Sequence, residues 1–456
     1  MSTVSAPGST PLHDAGILNL HCPCRTRDDQ RLLRQLAGAA KPDGPLQSLL
    51  QTHPHLFSAT TVFISGAEAA TIAAAVAAIE RVFALPAYQT HVLASAPPIA
   101  RADFGPVGVF MGFDFHLGAN GPQLIEINTN AGGGLLNTVL AQAQLACCNA
   151  RLPEAPAPDD ADRQRQRQEQ TFVDMFVAEW KKQRGNARMG SLFIVDDAPA
   201  QQYLAPEFVL FQEMFQRHGL ASGIADASNL VWRDGKLWHD DTVIDMIYNR
   251  LTDFYLEAPE HAALRQAYEA GAVVLTPHPR AHALHASKSN LVILCDEKQL
   301  ASWGVPAGDR EVLQAVVPAT QRVTAADADD LWSRRRQLFF KPVGGYAGKA
   351  AYRGDKLTRR VWADIVAGDF VAQALVVPGQ RRIAVNGALS DFKFDIRAYT
   401  YAASVQLLAA RMYAGQTTNF RTEGGGFAPV KILGETGCSN CFNTTLKPLY
   451  TTPFHA

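Results

Sequence analysis

The stretch that decides the fold is Gly112-Phe-Asp-Phe115, followed by Leu124-Ile-Glu-Ile-Asn-Thr-Asn130. Two segments have the pattern of β-strands, because their residues are apolar or alternate between apolar and polar: Phe110–Leu117 and Gln123–Asn128. Between them, Gly118-Ala-Asn-Gly121 has the Asn-Gly chemistry of a tight turn. The pattern therefore predicts a β-hairpin.

This hairpin should bring two carboxylates and an amide together. Residues i and i+2 of a strand face the same side, so Glu126 and Asn128 should project together, with Asp114 across the ladder. Magnesium prefers such oxygen ligands and completes its shell with phosphate oxygens and water. An exposed edge strand is the alternative. The glycines Gly132–Gly134 allow close backbone approach to a ligand and favour a metal site.

A lysine precedes a second glycine-rich segment. Lys341 ends an apolar strand, and Gly344-Gly-Tyr-Ala-Gly348 follows it. Backbone N–H groups of such a loop can surround phosphate oxygens, while the lysine supplies a positive charge. The segment is not a P-loop, because no Gly-Lys-Ser/Thr follows at the required spacing. Taken alone, a strand end and a turn explain it equally well.

Arginines follow on later strands. Asp395-Ile-Arg397 and Arg411 lie inside apolar strands, and Arg421 lies in the segment Asn419–Gly426. Guanidinium groups on neighbouring strands offer the paired donors that suit phosphoryl oxygens and carboxylates. An ordinary surface role is a stronger alternative for Arg421 than for the two strand arginines.

Bulk properties exclude several classes of function. The chain has 456 residues, 47% of them hydrophobic and 19% charged, which predicts a globular protein of two or three packed subdomains. The formal net charge is −1, so the chain has no overall positive potential to attract the phosphate backbone of a nucleic acid. Residues Met1–Leu20 lack the apolar stretch of a secretory signal, and no segment is long enough to span a bilayer. The cytoplasm is the expected location.

The seven cysteines do not predict a disulfide framework, because the count is odd and no secretory signal is present. Cys22 and Cys24, with Cys438 and Cys441, could make a zinc site of four thiolates. Reduced surface or terminal thiols are the preferred interpretation, because the two pairs lie at opposite ends of the chain.

Together, the three constellations resemble the ATP-grasp superfamily. Its magnesium site is commonly an aspartate followed by Glu-x-Asn, and its glycine-rich lid follows a strand lysine. In most members Glu-x-Asn comes after the lid, whereas here it comes first. That order resembles the circularly permuted branch, which includes eukaryotic-type glutathione synthetases. Segments similar to that branch are Gln123–Thr129, Tyr248-Asn-Arg250 and Lys288 in Ala286–Ser289.

The resemblance implies an ATP- and Mg²⁺-dependent ligase that converts a carboxylate to an acyl phosphate for attack by an amine. The implied metal ligands are Asp114, Glu126 and Asn128. The implied nucleotide contacts are Lys288, Lys341, the lid glycines Gly344, Gly345 and Gly348, and the adenine hinge Gln373, Ala374 and Leu375. The implied catalytic residues are Arg411, Arg397 and Lys341. The implied substrate contacts are Arg250, Asn130 and Arg421.

Three departures from that branch concern the lid and the substrate side. The lid lacks the glutamate often found there, Met111–Gly112 replace an arginine, and Asn130–Gly134 replace substrate-side serines. The resemblance therefore implies shared nucleotide chemistry with a substrate other than that of glutathione synthesis. For Arg250, a salt bridge to Asp253 is the structural alternative. The alternative functions are a small-molecule kinase and a non-catalytic nucleotide-binding regulatory protein.

The expected fold class is α/β and α+β: an ATP-grasp fold in circularly permuted order, with a parallel-sheet substrate (pre-ATP-grasp) domain. The expected partners are a small-molecule or peptide carboxylate and an amine, without nucleic acid or membrane. A homodimer is compatible with the sequence. The predicted segments are a flexible tail (1–28), the N-terminal part of the ATP-grasp domain (29–150), a linker and charged helix (151–184), the substrate-binding domain (185–290) and the rest of the ATP-grasp domain (291–456).

Overall fold

A computed structural model of the chain describes residues 14–39, 46, 48–118, 120–145, 158–344 and 350–433. Its helices are α1 (Ala15–His21), α2 (Asp29–Ala39), α3 (Leu49–Thr52), α4 (Gly66–Phe83), α5 (Pro86–Ser95), α6 (Gly134–Gln142), α7 (Pro158–Arg184), α8 (Ala205–Arg217), α9 (Ala262–Glu269), α10 (Pro279–His285), α11 (Ser289–Cys295), α12 (Glu297–Ser302), α13 (Ala307–Val316), α14 (Ala328–Ser333) and α15 (Arg359–Ala367). Its strands are β1 (Val62–Ser65), β2 (Met111–Gly118), β3 (Gly121–Asn128), β4 (Leu192–Asp196), β5 (Ser222–Asp226), β6 (Leu230–Arg233), β7 (Lys236–His239), β8 (Thr242–Ile244), β9 (Met246–Asn249), β10 (Val274–Thr276), β11 (Thr320–Arg322), β12 (Leu338–Pro342), β13 (Tyr352–Arg353), β14 (Phe370–Ala374), β15 (Gly379–Val385), β16 (Ala388–Tyr401), β17 (Ser404–Tyr413) and β18 (Gly426–Leu433).

The largest sheet has seven strands and carries most of the predicted site. Its order is β1-β18-β17-β16-β2-β3, and β15 pairs with the first half of β16. The hairpin predicted from the sequence is therefore present as β2 and β3. Strand β2 of the hairpin also pairs with β16, which comes from the far end of the chain. Strands β2 and β16 are antiparallel.

Helix α4 covers this sheet. A capping box between Ser65 and Glu68 starts the helix, because each residue satisfies a backbone N–H of the other. Ile72 and Ile79 of α4 pack in one hydrophobic core with Phe113 of β2. In the described residues no single helix is long and apolar enough to cross a membrane, and only α4 and α5 taken together, as a pair bent by 73°, meet those criteria.

A second sheet of four parallel strands has the order β10-β9-β4-β5. Residues Thr242–Ile244 and Met246–Asn249 form two separate strands, because the chain changes sheets at Asp245. The Asp245 carboxylate accepts hydrogen bonds from the backbone N–H groups of Gly190 and Ser191 at 2.6 and 3.2 Å. Before this point β8 belongs to a small meander, β6-β7-β8, and after it β9 joins the parallel sheet.

The third sheet is antiparallel, with the order β11-β14-β12-β13. Phe340 of β12 points to the face covered by Trp362 and Ile365 of α15. Because successive side chains of a strand alternate, Lys341 points to the opposite face, toward the large sheet. This alternation brings the predicted phosphate-side lysine to the hairpin.

The predicted flexible tail, residues 1–28, is ordered in its described part. The guanidinium of Arg381 on β15 is fully buried and donates to the backbone carbonyls of Leu18, Asn19 and Cys22. A buried charged group needs such acceptors, so α1 is fixed against the large sheet. The correction could not be read from local composition, because Arg381 lies more than 350 residues away. Cys438 and Cys441 lie outside the described residues, so the zinc alternative stays a prediction.

The charged helix predicted after the linker is present as α7, and part of it is buried. In the second half of α7, the side chains of Phe172, Phe176 and Trp180 are buried in the core beside the parallel sheet. Glu179 is also buried, and its carboxylate accepts hydrogen bonds from the N–H groups of Val107 and Gly108. The helix therefore holds the chain segment that leads into β2.

Candidate active site

The two strands of the hairpin place the predicted metal-side residues in register. Asp114 is directly opposite Glu126, and Gly112 is opposite Asn128. The pairing then shifts by one residue, which leaves Ile125 as a β-bulge. Directly opposed residues share a face of the sheet, so Asp114, Glu126 and Asn128 face the same side.

Asp114 lies at the centre of a buried ionic network. Nε and Nη2 of Arg397 donate to its two carboxylate oxygens, both at 2.7 Å. Nη2 of Arg411 donates to Oδ2 of Asp114 at 2.8 Å, and Nε of Arg411 donates to Asp395 at 2.7 Å. The strand pairing explains the network, because Arg397 is opposite Asp114 and Arg411 is opposite Asp395.

Asp114 and its two arginines hold one another in their charged forms. Burial by itself would raise the pKa of Asp114, but the positive charges of Arg397 and Arg411 outweigh burial and hold that pKa below its usual value. Burial opposes the charged form of Arg411, yet the adjacent carboxylates of Asp114 and Asp395 raise its pKa. Nη1 of each arginine makes no hydrogen bond to the described residues, so each guanidinium keeps a donor for a ligand.

Gly112 explains one departure from the resembling branch. A Cβ atom there would lie 2.6 Å from Cβ of Ala131 and 3.3 Å from Nε of Arg397. The side chain of Arg397 therefore packs over Gly112, and these close contacts leave no room for a larger residue at this position.

Glu126 and Asn128 are the members of the predicted metal set that keep open oxygen atoms. Nδ2 of Asn128 donates to Asp114 at 3.0 Å, and no described residue donates a hydrogen bond to Oδ1 of Asn128. In the described part of the chain, no group donates to the Glu126 carboxylate, and no three Asp, Glu, His or Cys side chains form a metal-binding group. A carboxylate and an amide oxygen fit magnesium, which takes its other ligands from phosphate and water.

Lys341 crosses from the small sheet to this hairpin. Its Nζ donates to the carbonyl of Ile125 at 2.5 Å and to Oε1 of Gln373 at 2.8 Å. The Ile125 carbonyl belongs to the bulge, next to Glu126. Lys288 is also buried nearby, and its backbone N–H donates to the Val343 carbonyl at 3.2 Å. The structure therefore brings both predicted phosphate-side lysines together with Glu126.

Burial, and secondarily the positive charge of Lys288, lower the pKa of Lys341 to about 8, despite the opposing effect of Glu126. Between this value and the usual 10.5, Lys341 is neutral in the free protein. Binding a polyphosphate favours the charged amine, so ATP binding above pH 8 should take up a proton and weaken as pH rises.

Calorimetry of ATP binding at pH 8.5 in two buffers of different ionisation enthalpy measures this proton uptake. Lys341→Met should remove it. The assignment is contradicted if the variant takes up as many protons as the wild type.

The predicted adenine hinge needs a correction. The backbone N–H of Ala374 donates to the Ala319 carbonyl, and that of Leu375 donates to the Gln337 carbonyl, both at 2.8 Å. These N–H groups are engaged because the hinge residues continue the pairing of β14. Of the residues that follow, Val377 is 66% exposed. The lid glycines Gly345 and Gly348 lie outside the described residues, and Gly344 is exposed.

The predicted substrate contacts Arg250 and Asn130 lie together at the end of β9. Nη1 of Arg250 donates to the Asn130 backbone carbonyl and to the Tyr248 hydroxyl, both at 3.1 Å. The alternative salt bridge to Asp253 is absent, because the Asp253 carboxylate is bonded to His261 at 2.7 Å instead. Arg250 forms no ion pair with any described residue.

Arg421, the third predicted substrate contact, is exposed on the loop after β17, and only its backbone N–H forms a hydrogen bond, to Asn419. Its side chain has no described partner that would direct it to the hairpin. The hydrogen bonds of the described residues therefore do not connect Arg421 to the site of Arg250.

The glycines after the hairpin pack against protein. A Cβ at Gly132 would lie 2.7 Å from Nη2 of Arg250, and one at Gly133 would lie 2.2 Å from the Phe427 ring. Sequence analysis missed Glu207 of α8, which is buried and accepts hydrogen bonds from the N–H groups of Gly133 and Leu135 at 2.8 and 3.0 Å. Only the long-range packing of α8 on this turn reveals it.

The comparisons with known proteins identify the fold. The sequence matches no family model and no curated protein significantly. The structure is similar to a glutathione synthetase-like effector, GSS30, from Globodera pallida in its apoform, with a TM-score of 0.53 and 12% identity over 89% of this chain and 97% of that chain. A putative gamma-glutamylcysteine synthetase from Methylobacillus flagellatus gives a TM-score of 0.44 and 11% identity over 75% of this chain and 82% of that chain. The ATP-grasp ligase PsnB, complexed with a minimal precursor, gives 0.28 and 13% identity over 54% of this chain and 89% of that chain.

The predicted fold class is confirmed. The chain has an ATP-grasp fold. Its architecture is similar to that of the glutathione synthetase-like effector, and its Glu-x-Asn hairpin comes ahead of the small antiparallel sheet in the chain.

Proposed function

We propose that this protein is an ATP- and magnesium-dependent carboxylate–amine ligase that forms an amide or peptide bond and releases ADP and phosphate. The observation that carries the proposal is the contact between Lys341 and the Ile125 carbonyl, which joins segments 216 residues apart beside Glu126. Through this contact, cations and open oxygen ligands would surround one space, as binding of a nucleoside triphosphate requires.

The proposed reaction has two steps. The substrate carboxylate attacks the γ-phosphate of ATP, which gives an acyl phosphate and ADP. The amine then attacks the acyl carbon, and phosphate leaves with its bonding electron pair. Negative charge spreads over the phosphoryl oxygens in the first step, so positioning and charge neutralisation supply most of the catalysis.

The residues divide into three roles in this proposal. Glu126 and Asn128 would hold magnesium, which supplies positive charge to the phosphate oxygens. Asp114, the third predicted metal ligand, would instead hold Arg397 and Arg411, whose free Nη1 groups face the transferred phosphoryl group. The phosphate contacts are Lys288, Lys341 and the lid from Gly344, and the carboxylate of the substrate binds at Arg250.

The test is ADP release, screened against mixtures of carboxylates and amines, with mass spectrometry of the conjugate. Once a pair is found, a carboxylate labelled with ¹⁸O should transfer one labelled oxygen to the released phosphate, because the carboxylate oxygen becomes the bridging oxygen of the acyl phosphate. Unlabelled phosphate would exclude the acyl phosphate. A phosphorylated product that persists without any amine would instead support the kinase alternative.

A further inference from the structure

The end of β3 lies between the magnesium side and the carboxylate side of the proposed site. Asn128 is the last residue of β3 and is paired with Gly112 of β2. Two residues later, the Asn130 carbonyl accepts a hydrogen bond from Arg250 at 3.1 Å. Asn130 has a φ of 63°, in the left-handed region, so the chain leaves the direction of the strand there. Thr129 lies between these two contacts and outside the strand ladder.

His282 of α10 holds Thr129. Nδ1 of His282 and Oγ1 of Thr129 form a hydrogen bond of 2.9 Å. Thr129 is 5% exposed and His282 is 9% exposed, so loss of either partner leaves a buried polar group unsatisfied. Among the described residues, the Thr129 hydroxyl has no other hydrogen-bond partner. The first side-chain anchor beyond β3 is therefore this histidine.

Aromatic packing fixes the orientation of the His282 ring. Phe254 stacks on the ring, with a centroid distance of 3.8 Å and an interplanar angle of 8°. Tyr255 contacts the ring edge to face at 5.4 Å and 86°. Both aromatic residues belong to the segment that follows Arg250. One imidazole ring therefore contacts the end of the magnesium-side hairpin and the segment next to the carboxylate-side arginine.

The ring is uncharged near neutral pH. Burial, and secondarily the positive charges of Lys288 and His285, lower the pKa of His282 to about 3. A neutral imidazole has one donor and one acceptor nitrogen, so the bond to Thr129 is a neutral hydrogen bond. Its effect is to fix a geometry, without adding a charge to the phosphate side.

We infer that His282 is a positioning residue that acts through Thr129. By fixing Thr129, it holds the two neighbouring asparagines, one for the metal and one for Arg250. This inference rests on the proposed function, because it takes Asn128 as a magnesium ligand and Arg250 as the carboxylate contact. Residues that orient metal ligands contribute to metal affinity without contacting the metal.

The test titrates Mg²⁺ calorimetrically into the full chain saturated with the non-hydrolysable analogue β,γ-imido-ATP. His282→Leu removes the hydrogen bond with an apolar side chain, and Thr129→Val removes the hydroxyl while keeping the shape of threonine. Each variant should bind Mg²⁺ about tenfold or more weakly, the lower end of the range for a partner that orients a metal ligand. Both changes remove the same bond, so the loss in the double variant should be close to that of one single variant and well below their product.

Three controls separate positioning from stability. His285→Leu removes another buried histidine of α10, which bonds to Glu80 at 3.2 Å, so it should lower stability and leave Mg²⁺ binding unchanged. Thr129→Ser keeps the hydroxyl and should bind Mg²⁺ as the wild type does. All variants should bind ADP equally in the presence of EDTA, because the phosphate contacts at Lys288 and Lys341 do not involve Thr129.

The inference is overturned if Thr129→Val, an isosteric change that should fold, binds Mg²⁺ as tightly as the wild type. It is also overturned if the two single losses multiply in the double variant, or if His285→Leu causes an equal loss. A wild type that binds β,γ-imido-ATP neither with nor without Mg²⁺ would overturn the proposed function itself. Mg²⁺ binding that depends on Thr129 and His282, without ADP release from any substrate mixture, would overturn the ligase activity and leave the positioning role standing.

Discussion

Glu126→Gln should reduce ADP release at least about 100-fold while leaving the fold intact, a loss in the range expected when a preorganised electrostatic contact to phosphoryl transfer is removed. The substitution keeps the shape of the side chain and removes its negative charge. No described group donates a hydrogen bond to this carboxylate, so its loss should leave thermal stability almost unchanged. A metal ligand should behave in this way, because its charge contributes to activity and contributes little to folding.

Steady-state ADP release and thermal unfolding, measured on the same preparation, test this expectation. Glu423→Gln is the matched control, because Glu423 is a glutamate on the loop after β17 that bonds only to Asn386. The metal assignment is wrong if Glu126→Gln retains full activity. A large loss of stability with the loss of activity would instead assign Glu126 a structural role.

Asp114→Asn should destabilise the fold by about 3–5 kcal/mol, the usual cost of removing one partner of a buried ion pair. The variant leaves the guanidinium groups of Arg397 and Arg411 buried beside a neutral amide. The Asp114 carboxylate accepts three hydrogen bonds from the arginines, and an amide can accept fewer of them. Activity should fall as well, because both arginines lose their fixed positions.

Chemical denaturation measures the change in the free energy of unfolding. Asp391→Asn is the control, since Asp391 lies on β16 and forms a two-point ion pair with Arg382 at 2.6 and 2.9 Å. That pair is solvent-exposed, so its loss should change stability little. Equal effects of the two variants would show that the buried network contributes no more than a surface pair.

Local patterns predicted the hairpin but not its detail. The Asn-Gly turn and the alternation of side chains fix the register at Asp114 and Glu126, and the structure confirms that register. The bulge at Ile125 could not be predicted, because no residue preference marks it. Its carbonyl nevertheless receives Lys341, so an irregularity of one residue sets the contact between the two sheets.

The hydrogen-bond partners of Asp114 could not be predicted from the sequence either. A carboxylate directed to magnesium and one directed to arginines have the same local sequence, and only the pairing of β2 with β16 separates them. The same limit applies to the hinge: Ala374 and Leu375 were predicted from their position, but their N–H groups are used by Ala319 and Gln337. Long-range hydrogen bonding, which a single sequence does not reveal, decides both cases.

The order of the strands has a consequence for how this chain acquires its structure. Asp114 meets Arg397 across 283 residues, so during synthesis the hairpin leaves the ribosome long before β16 exists. Until then, the Asp114 carboxylate, which is buried in the folded protein, has no cation, and one edge of β2 has no neighbouring strand. Such late, non-local strand pairing slows folding and prolongs the exposure of unpaired strand edges and apolar surface. The central sheet can therefore close only when nearly the whole polypeptide has been made.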